Sequence, residues 1–382
     1  MFDCPSVSCD PDARILDVPQ QTPNRAEARV TSASAPDAPL VPPTLADVAE
    51  RAGVSRQTVS NAINNPELLR PETLERVQAA IQDLGYRPNR AARHLRTRAS
   101  HLIGLRMSPA QEFTANAAMD RFVHALVEES REAGYHLLLF SGGPGKPDTT
   151  AADLVRGYDD LLRSTAVDAF IVTDTYLGNP QTRWLSERRA PFVAFGRPWQ
   201  DPEATHPWVD VDGAAGVELA TQHVMERGHE RIGWVGWTES SFIGQDRRSG
   251  WERAMAAAGR STDGLAVRVA DTVDAGREAA RELLDSAHPT AIVCASDTLA
   301  VGVFHTLAER GLHPGRDIAV VGFDDSQVAQ VVPPGLTSVR QPLEQVALEL
   351  VRALEALLAR EPYDARGVLL APTLAVRGST GG

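Results

Sequence analysis

The chain has 382 residues, of which 43% are hydrophobic and 23% charged. That mixture suits two or three globular domains and excludes a fibrous, collagen-like or wholly disordered protein. No run approaches the ~20 apolar residues needed to span a bilayer. Three cysteines (Cys4, Cys9 and Cys294) are too few for a disulfide scaffold and fit no zinc spacing. The net charge of −12 argues against a nucleic-acid partner only if it is evenly spread, and it is not.

Residues 1–43 carry three arginines and six acids, are rich in Pro, Ser, Ala, Asp and Thr, and show no hydrophobic period. They read as a disordered leader, and MFDCPSVSCD lacks the apolar stretch of a secretory signal. Residues 44–99 carry nine arginines against six acids, a net of +3. A small basic module on an acidic body points to nucleic acid. Lys146 is the only lysine, so the positive charge is almost all guanidinium, whose planar fork suits phosphates and guanine edges.

Helical spacing predicts three helices in this module. Thr44 and Asp47 form an N-terminal box for the first, and Gly53 breaks it. Ser55 caps a second that buries Val59, Ala62 and Ile63 and ends at Asn64-Asn65-Pro66. Pro71 suits the first turn of a third, which places Leu74, Val77, Ile81 and Leu84 on one face and stops at Gly85. An Arg-rich stretch follows from Pro88. Helix, tight turn, helix is the helix-turn-helix arrangement, whose second helix enters the major groove.

From residue 101 short apolar runs (101–107, 136–141, 169–174, 192–196, 231–235, 291–296 and 318–323) alternate with helical segments (118–133, 151–164, 214–227, 247–258, 275–286 and 298–310). Such alternation implies parallel sheets covered by helices. Some 280 residues of it reads as two α/β lobes with ligand in the crevice between them.

The motifs TLADVAERAGVSRQTVSNAINNP, ETLERVQAAIQDLGYRPNRAARHLRT, RGHERIGWVG, RRSGWERAM, PTAIVCASDTLAVG, DIAVVGFDDS and LTSVRQP together resemble the LacI/GalR family of bacterial transcription regulators, over essentially residues 44–380. The resemblance implies a small all-α helix-turn-helix head (44–98) with a hinge helix at about 88–97. It also implies a two-lobed, periplasmic-binding-protein-like α/β core (99–382) that binds effector and dimerises. Arg56, Gln57 and Asn61 fall where the family reads operator bases; Arg pairs well with guanine, Gln and Asn with adenine. Ser55, Thr58, Ser60 and Asn64 match phosphate contacts, which fix register; Ser55 also suits an N-cap. Tyr86 either reaches the DNA backbone or packs on the third helix. Leu95 matches the hinge leucine that wedges into the minor groove, in a segment with Arg90, Ala92 and Arg96. Five arginines within residues 87–98 repel one another, which predicts a hinge that is loose off DNA and helical on it.

For the effector, Arg247 in RRSGW resembles the family's cleft arginine. Asp324 and Asp297 lie at C-terminal ends of predicted strands, where open α/β sheets bind ligands; Asp297 also suits helix capping. Trp199 and Trp208 are candidate platforms for a sugar ring. Phe113 falls in the loop after the first core strand, and Gln341 at the return crossing between lobes. Trp234 and Trp251 suit the core, and Asp212 a helix cap.

The expected function is a cytoplasmic, homodimeric, sequence-specific DNA-binding regulator. It would repress carbohydrate genes from double-stranded, palindromic operator DNA and be released by a small sugar or oligosaccharide. A purine-type co-repressor design remains open within regulators. A sugar-binding transport protein is disfavoured by the missing signal and the basic head. No nucleophile elbow, P-loop or metal cluster is present, so no enzyme, cofactor, metal or membrane role is expected.

Overall fold

The computed structural model describes residues 43–381, apart from 88–98, 108–116, 142–149, 364–366 and residues 174, 177, 200, 202 and 240. The chain divides into two compact units, 1–88 and 89–382.

The described part of the first unit is helical, with α1 Leu45–Ala52, α2 Arg56–Asn64 and α3 Pro71–Leu84. The Thr44 side chain accepts from the Asp47 backbone while the Asp47 side chain accepts from the Thr44 backbone. Such caps contribute about 1 kcal/mol. Gly53 ends α1 in the left-handed conformation, φ 66°, which costs a glycine nothing. Pro71 opens α3, and Gly85 closes it. One apolar face of each helix meets in a core of Val48, Ala49, Val59, Ala62, Val77, Ala80 and Tyr86.

The second unit contains two six-stranded sheets. The first comprises β1 Leu102–Met107, β2 His136–Ser141, β3 Ala169–Val172, β4 Phe192–Phe195, β5 Trp208–Val211 and β11 Gly367–Leu370, in the order β11-β5-β4-β3-β1-β2. All its pairings are parallel. The second comprises β6 Ile232–Trp237, β7 Ala266–Val269, β8 Ala291–Cys294, β9 Ala319–Phe323, β10 Thr337–Arg340 and β12 Thr373–Ala375, in the order β12-β10-β9-β8-β6-β7. Only β12 runs antiparallel there.

The helices are α4 Ala117–Glu132, α5 Ala151–Arg163, α6 Pro180–Glu187, α7 Gly213–Glu226, α8 Phe242–Ala257, α9 Val273–Ser286, α10 Asp297–Glu309, α11 Gln327–Val331 and α12 Leu343–Ala359. Helix α12, absent from the sequence reading, buries Leu343, Val346, Leu350 and Leu354 in the core of the first lobe.

The chain crosses between lobes three times: after β5, after β10, and between β11 and β12. Trp234 and Trp251 stack at 6.4 Å in the core of the second lobe, and Trp251 Nε1 donates to the Ile232 carbonyl. Both are core tryptophans; truncation of either to alanine costs about 3–5 kcal/mol. No helix among the described residues is long and apolar enough to cross a membrane.

Candidate DNA interface and effector cleft

In the head, helix α2 turns one polar face outward. Ser55 caps it, accepting from the Thr58 backbone N–H at 3.1 Å, and its hydroxyl lies 2.9 Å from that of Thr58. Both reach the open N-terminus of the helix, whose free N–H groups and positive dipole end favour a phosphate. Arg56 and Gln57 are exposed and Asn61 half-buried. Gln57 Nε2 donates to Asn61 Oδ1 at 3.0 Å, one turn apart, which presents the two amides as one surface. The first turn of α2 contains no acid. Ser60 is half-buried, and Asn64 Nδ2 donates back to its carbonyl at 2.6 Å. Tyr86 is 8% exposed and its side chain packs in the head core. Arg90, Ala92, Leu95 and Arg96 lie outside the described residues, as does Phe113.

In the core unit, a cavity of about 250 Å³ opens at the C-terminal ends of the strands, between the lobes. Trp199 and Asp210 line it from the first lobe. Trp237, Asp246, Arg247, Asp271, Phe323 and Asp324 line it from the second, and Gln341 from a crossing.

Arg247 is 6% exposed. One terminal nitrogen donates to the Ala295 carbonyl at 2.5 Å; the other lies 3.6 Å from Asp324 Oδ1. Its guanidinium sits 3.6 Å from the Phe323 ring centroid and 4.8 Å from that of Trp237. Gln341 Nε2 donates to Asp324 Oδ1 at 2.6 Å. Burial pushes the Asp324 carboxyl up to about 7 against the opposing pull of Arg247.

Arg197, in the loop after β4, was not foreseen. Its Nε donates to Asp210 Oδ2 at 2.7 Å, its Nη1 lies 3.5 Å from Asp246 Oδ1, and its guanidinium lies 4.6 Å from the Trp199 ring centroid. Trp199 stacks on Phe242 at 6.2 Å. Asp246 also accepts from the Ala214 backbone at 3.1 Å, and burial raises its carboxyl above the usual range.

Arg247, Asp324, Gln341 and Trp199, expected from the sequence, line the cavity. Asp210, Asp246, Asp271, Trp237 and Phe323 line it too, with Arg197 beside them, and none of these was expected. Trp208 does not line the cavity: it begins β5, beside Gly367 of β11. Asp210, two residues and about 6.6 Å further along the same face, occupies the cleft end instead. Asp297 does not line it either; it is 2% exposed and bonded beneath the Asp324–Asp325 turn. Asp212 is a cap, accepting from Ala215.

The polar lining is rich in acceptors. Four carboxylates (Asp210, Asp246, Asp271 and Asp324) offer acceptors. A ligand hydroxyl donates to these, while indole faces suit the apolar face of a ring.

Two known families match along the chain. Bacterial regulatory proteins of the lacI family match residues 44–89, and the periplasmic binding protein-like domain matches residues 221–380. The chain is 36% identical over 340 residues to the HTH-type transcriptional regulator CelR of Thermobifida fusca, covering 88% of this chain and 98% of that protein. Among solved structures, it is 33% identical to the transcriptional regulator CelR–cellobiose complex, with a TM-score of 0.67 and coverage of 88% and 99%. It is 26% identical to the lac repressor dimer bound to operator and anti-inducer, with a TM-score of 0.76 and coverage of 90% and 100%. With its helix-turn-helix head and its two-lobed core, the chain belongs to the lacI family of bacterial DNA-binding transcription regulators.

Proposed function

We propose that this regulator binds a palindromic operator as a homodimer in the cytoplasm and is released when a neutral saccharide enters the cleft. The head and hinge (44–98) hold DNA. Arg56, Gln57 and Asn61 read bases; Ser55, Thr58, Ser60 and Asn64 hold phosphates. The core (99–382) pairs two copies and binds effector, without a catalytic step. The two structures described above, a dimer on operator and a regulator holding cellobiose, support both halves of the reading.

The observation that carries the effector class is a lining of carboxyls and indole faces. Arg247 of that lining and Arg197 beside it are already engaged by carboxylates. With both guanidiniums engaged, a phosphorylated or carboxylated sugar meets a desolvation penalty that no free cation of the pair offsets. A neutral, hydroxyl-rich ring stacked on Trp199 meets none.

A thermal-shift screen tests this with cellobiose, other neutral mono- and oligosaccharides, sugar phosphates and purines. A ligand at 100 times its Kd stabilises the native state by ~2.7 kcal/mol. Stabilisation by a neutral saccharide supports the reading. Stabilisation by a purine or a sugar phosphate alone overturns the effector class and leaves the DNA-binding half standing.

A further inference from the structure

The turn that presents Asp324 holds an unusual backbone. Asp324 and Asp325 are consecutive non-glycine residues with φ of 106° and 47°, conformations that L side chains rarely adopt. Such backbone persists only where its surroundings over-determine it.

The surroundings here centre on Asp297, the first residue of α10. Its Oδ2 accepts from both the backbone N–H and the hydroxyl of Ser326, each at 2.7 Å. Its Oδ1 accepts from the Ser338 hydroxyl at 2.6 Å, and Ser338 Oγ in turn accepts from the Asp325 backbone N–H at 3.0 Å. The Asp324 N–H donates to the Val339 carbonyl at 2.8 Å. The carboxylate is pressed so closely against β9 that a Cβ at Gly322 would collide with Oδ1. One buried carboxylate therefore ties α10, β10 and the residue after the turn into a single clamp.

We infer that Asp297 is a positioning residue for the effector site, clamping the Asp324–Asp325 turn so that the Asp324 carboxylate faces Arg247 and the cavity. The inference rests on the reading of Asp324 as an effector ligand. An asparagine at 297 matches the shape but keeps one oxygen for the three donors, the Ser326 N–H and the Ser326 and Ser338 hydroxyls, so the clamp weakens while the volume stays. Asp324 then relaxes toward ordinary backbone and leaves Arg247.

The test has a ligand-free arm and a binding arm. In the full chain, Asp324→Gly and Asp324→Ala both remove the carboxylate and differ in what the left-handed backbone costs them. With Asp297 in place, Asp324→Gly should melt about 4 °C above Asp324→Ala. In an Asp297→Asn background the difference should fall by at least half, because only the Val339 carbonyl, Arg121 and the Arg377–Asp325 pair then hold the turn. A difference that stays above half its size in the Asp297→Asn background overturns the clamp. If Asp297→Asn does not fold, Ser338→Ala opens the same clamp and is read in the same way.

In the binding arm, cellobiose is titrated into the Asp324-containing proteins. Asp297→Asn should weaken its affinity at least tenfold, and Asp297→Asn with unaltered affinity would make Asp297 a structural residue only. A wild-type protein that ignores cellobiose counts against the effector reading, while the melting comparison still decides the clamp.

Discussion

Arg197 of the first lobe stands 3.5 Å from Asp246 of the second, beside the crossing that leads from β5 into α7. The same guanidinium is anchored on Asp210 and donates to the Val211 carbonyl at 3.2 Å. It therefore ties the wall of one lobe to the helix that carries Arg247 in the other. Hydrogen bonds to charged groups contribute about 1.5–3 kcal/mol when buried. Removal of Arg197 also leaves Asp210 and Asp246 facing each other uncompensated. Arg197→Met should weaken effector binding roughly tenfold, about 1.4 kcal/mol, as read by calorimetric titration; affinity equal to wild type would show that the lobes need no such tie.

Arg247 makes the strongest claim on the cleft. Arg247→Ala should leave operator binding in place and abolish the effector response. It should also lower stability by roughly 3–5 kcal/mol, since it leaves a buried carboxylate without its partner. Operator binding by fluorescence anisotropy, with and without effector, separates the two consequences. A normal response in the variant removes Arg247 from the site.

The cleft carboxyls also make binding and stability depend on pH. Asp324 is raised to about 7 and Asp297 to about 6, both mainly by burial. A carboxyl raised in the folded state binds more protons there than in the unfolded chain. Its contribution to stability therefore falls as pH rises from about 4 toward 7, and levels off above. Effector affinity should move the other way, rising between pH 6 and 8 as Asp324 ionises and accepts hydroxyl protons. Asp324→Asn should flatten the affinity profile and leave in the stability profile the share that Asp297 contributes; a variant retaining the wild-type affinity profile would assign it to another group.

In the head, Arg56→Ala should cost about 1–3 kcal/mol on the preferred operator and relax discrimination at one base position. A panel of single-base operator variants reads this directly. A uniform loss across the panel would make Arg56 a phosphate contact.

The head was legible in the sequence because its signals are local. Thr44 with Asp47, Gly53, Pro71 and Gly85 each mark a helix end within a few residues, and helical spacing marks the buried face. In the core, Arg247, Asp324 and Gln341 could be located because each sits in a motif that resembles a known element. Asp210 and Asp271 were missed for a different reason. They lie at the ends of β5 (WVDV) and β7 (AVRV), strands of four residues. So short an alternation carries little periodic signal, and only pairing with β4, β6 and β11 makes these segments strands. With the strand unseen, Trp208 at its start could not be told from Asp210 at its cleft end. Asp297 was placed at the correct strand end, yet its side chain turns under the Asp324 turn, a choice set by Ser326 and Ser338 from distant positions in the chain.

The central claim is that a neutral saccharide in the cleft releases the head from DNA. The most direct test is operator binding by the full-length protein as a function of neutral saccharide, cellobiose included, with Arg247→Ala alongside. The account predicts a saturable loss of operator affinity in the wild type, of roughly 5–150-fold, and none in the variant. A wild type indifferent to every neutral saccharide, or a variant that responds equally, would contradict it.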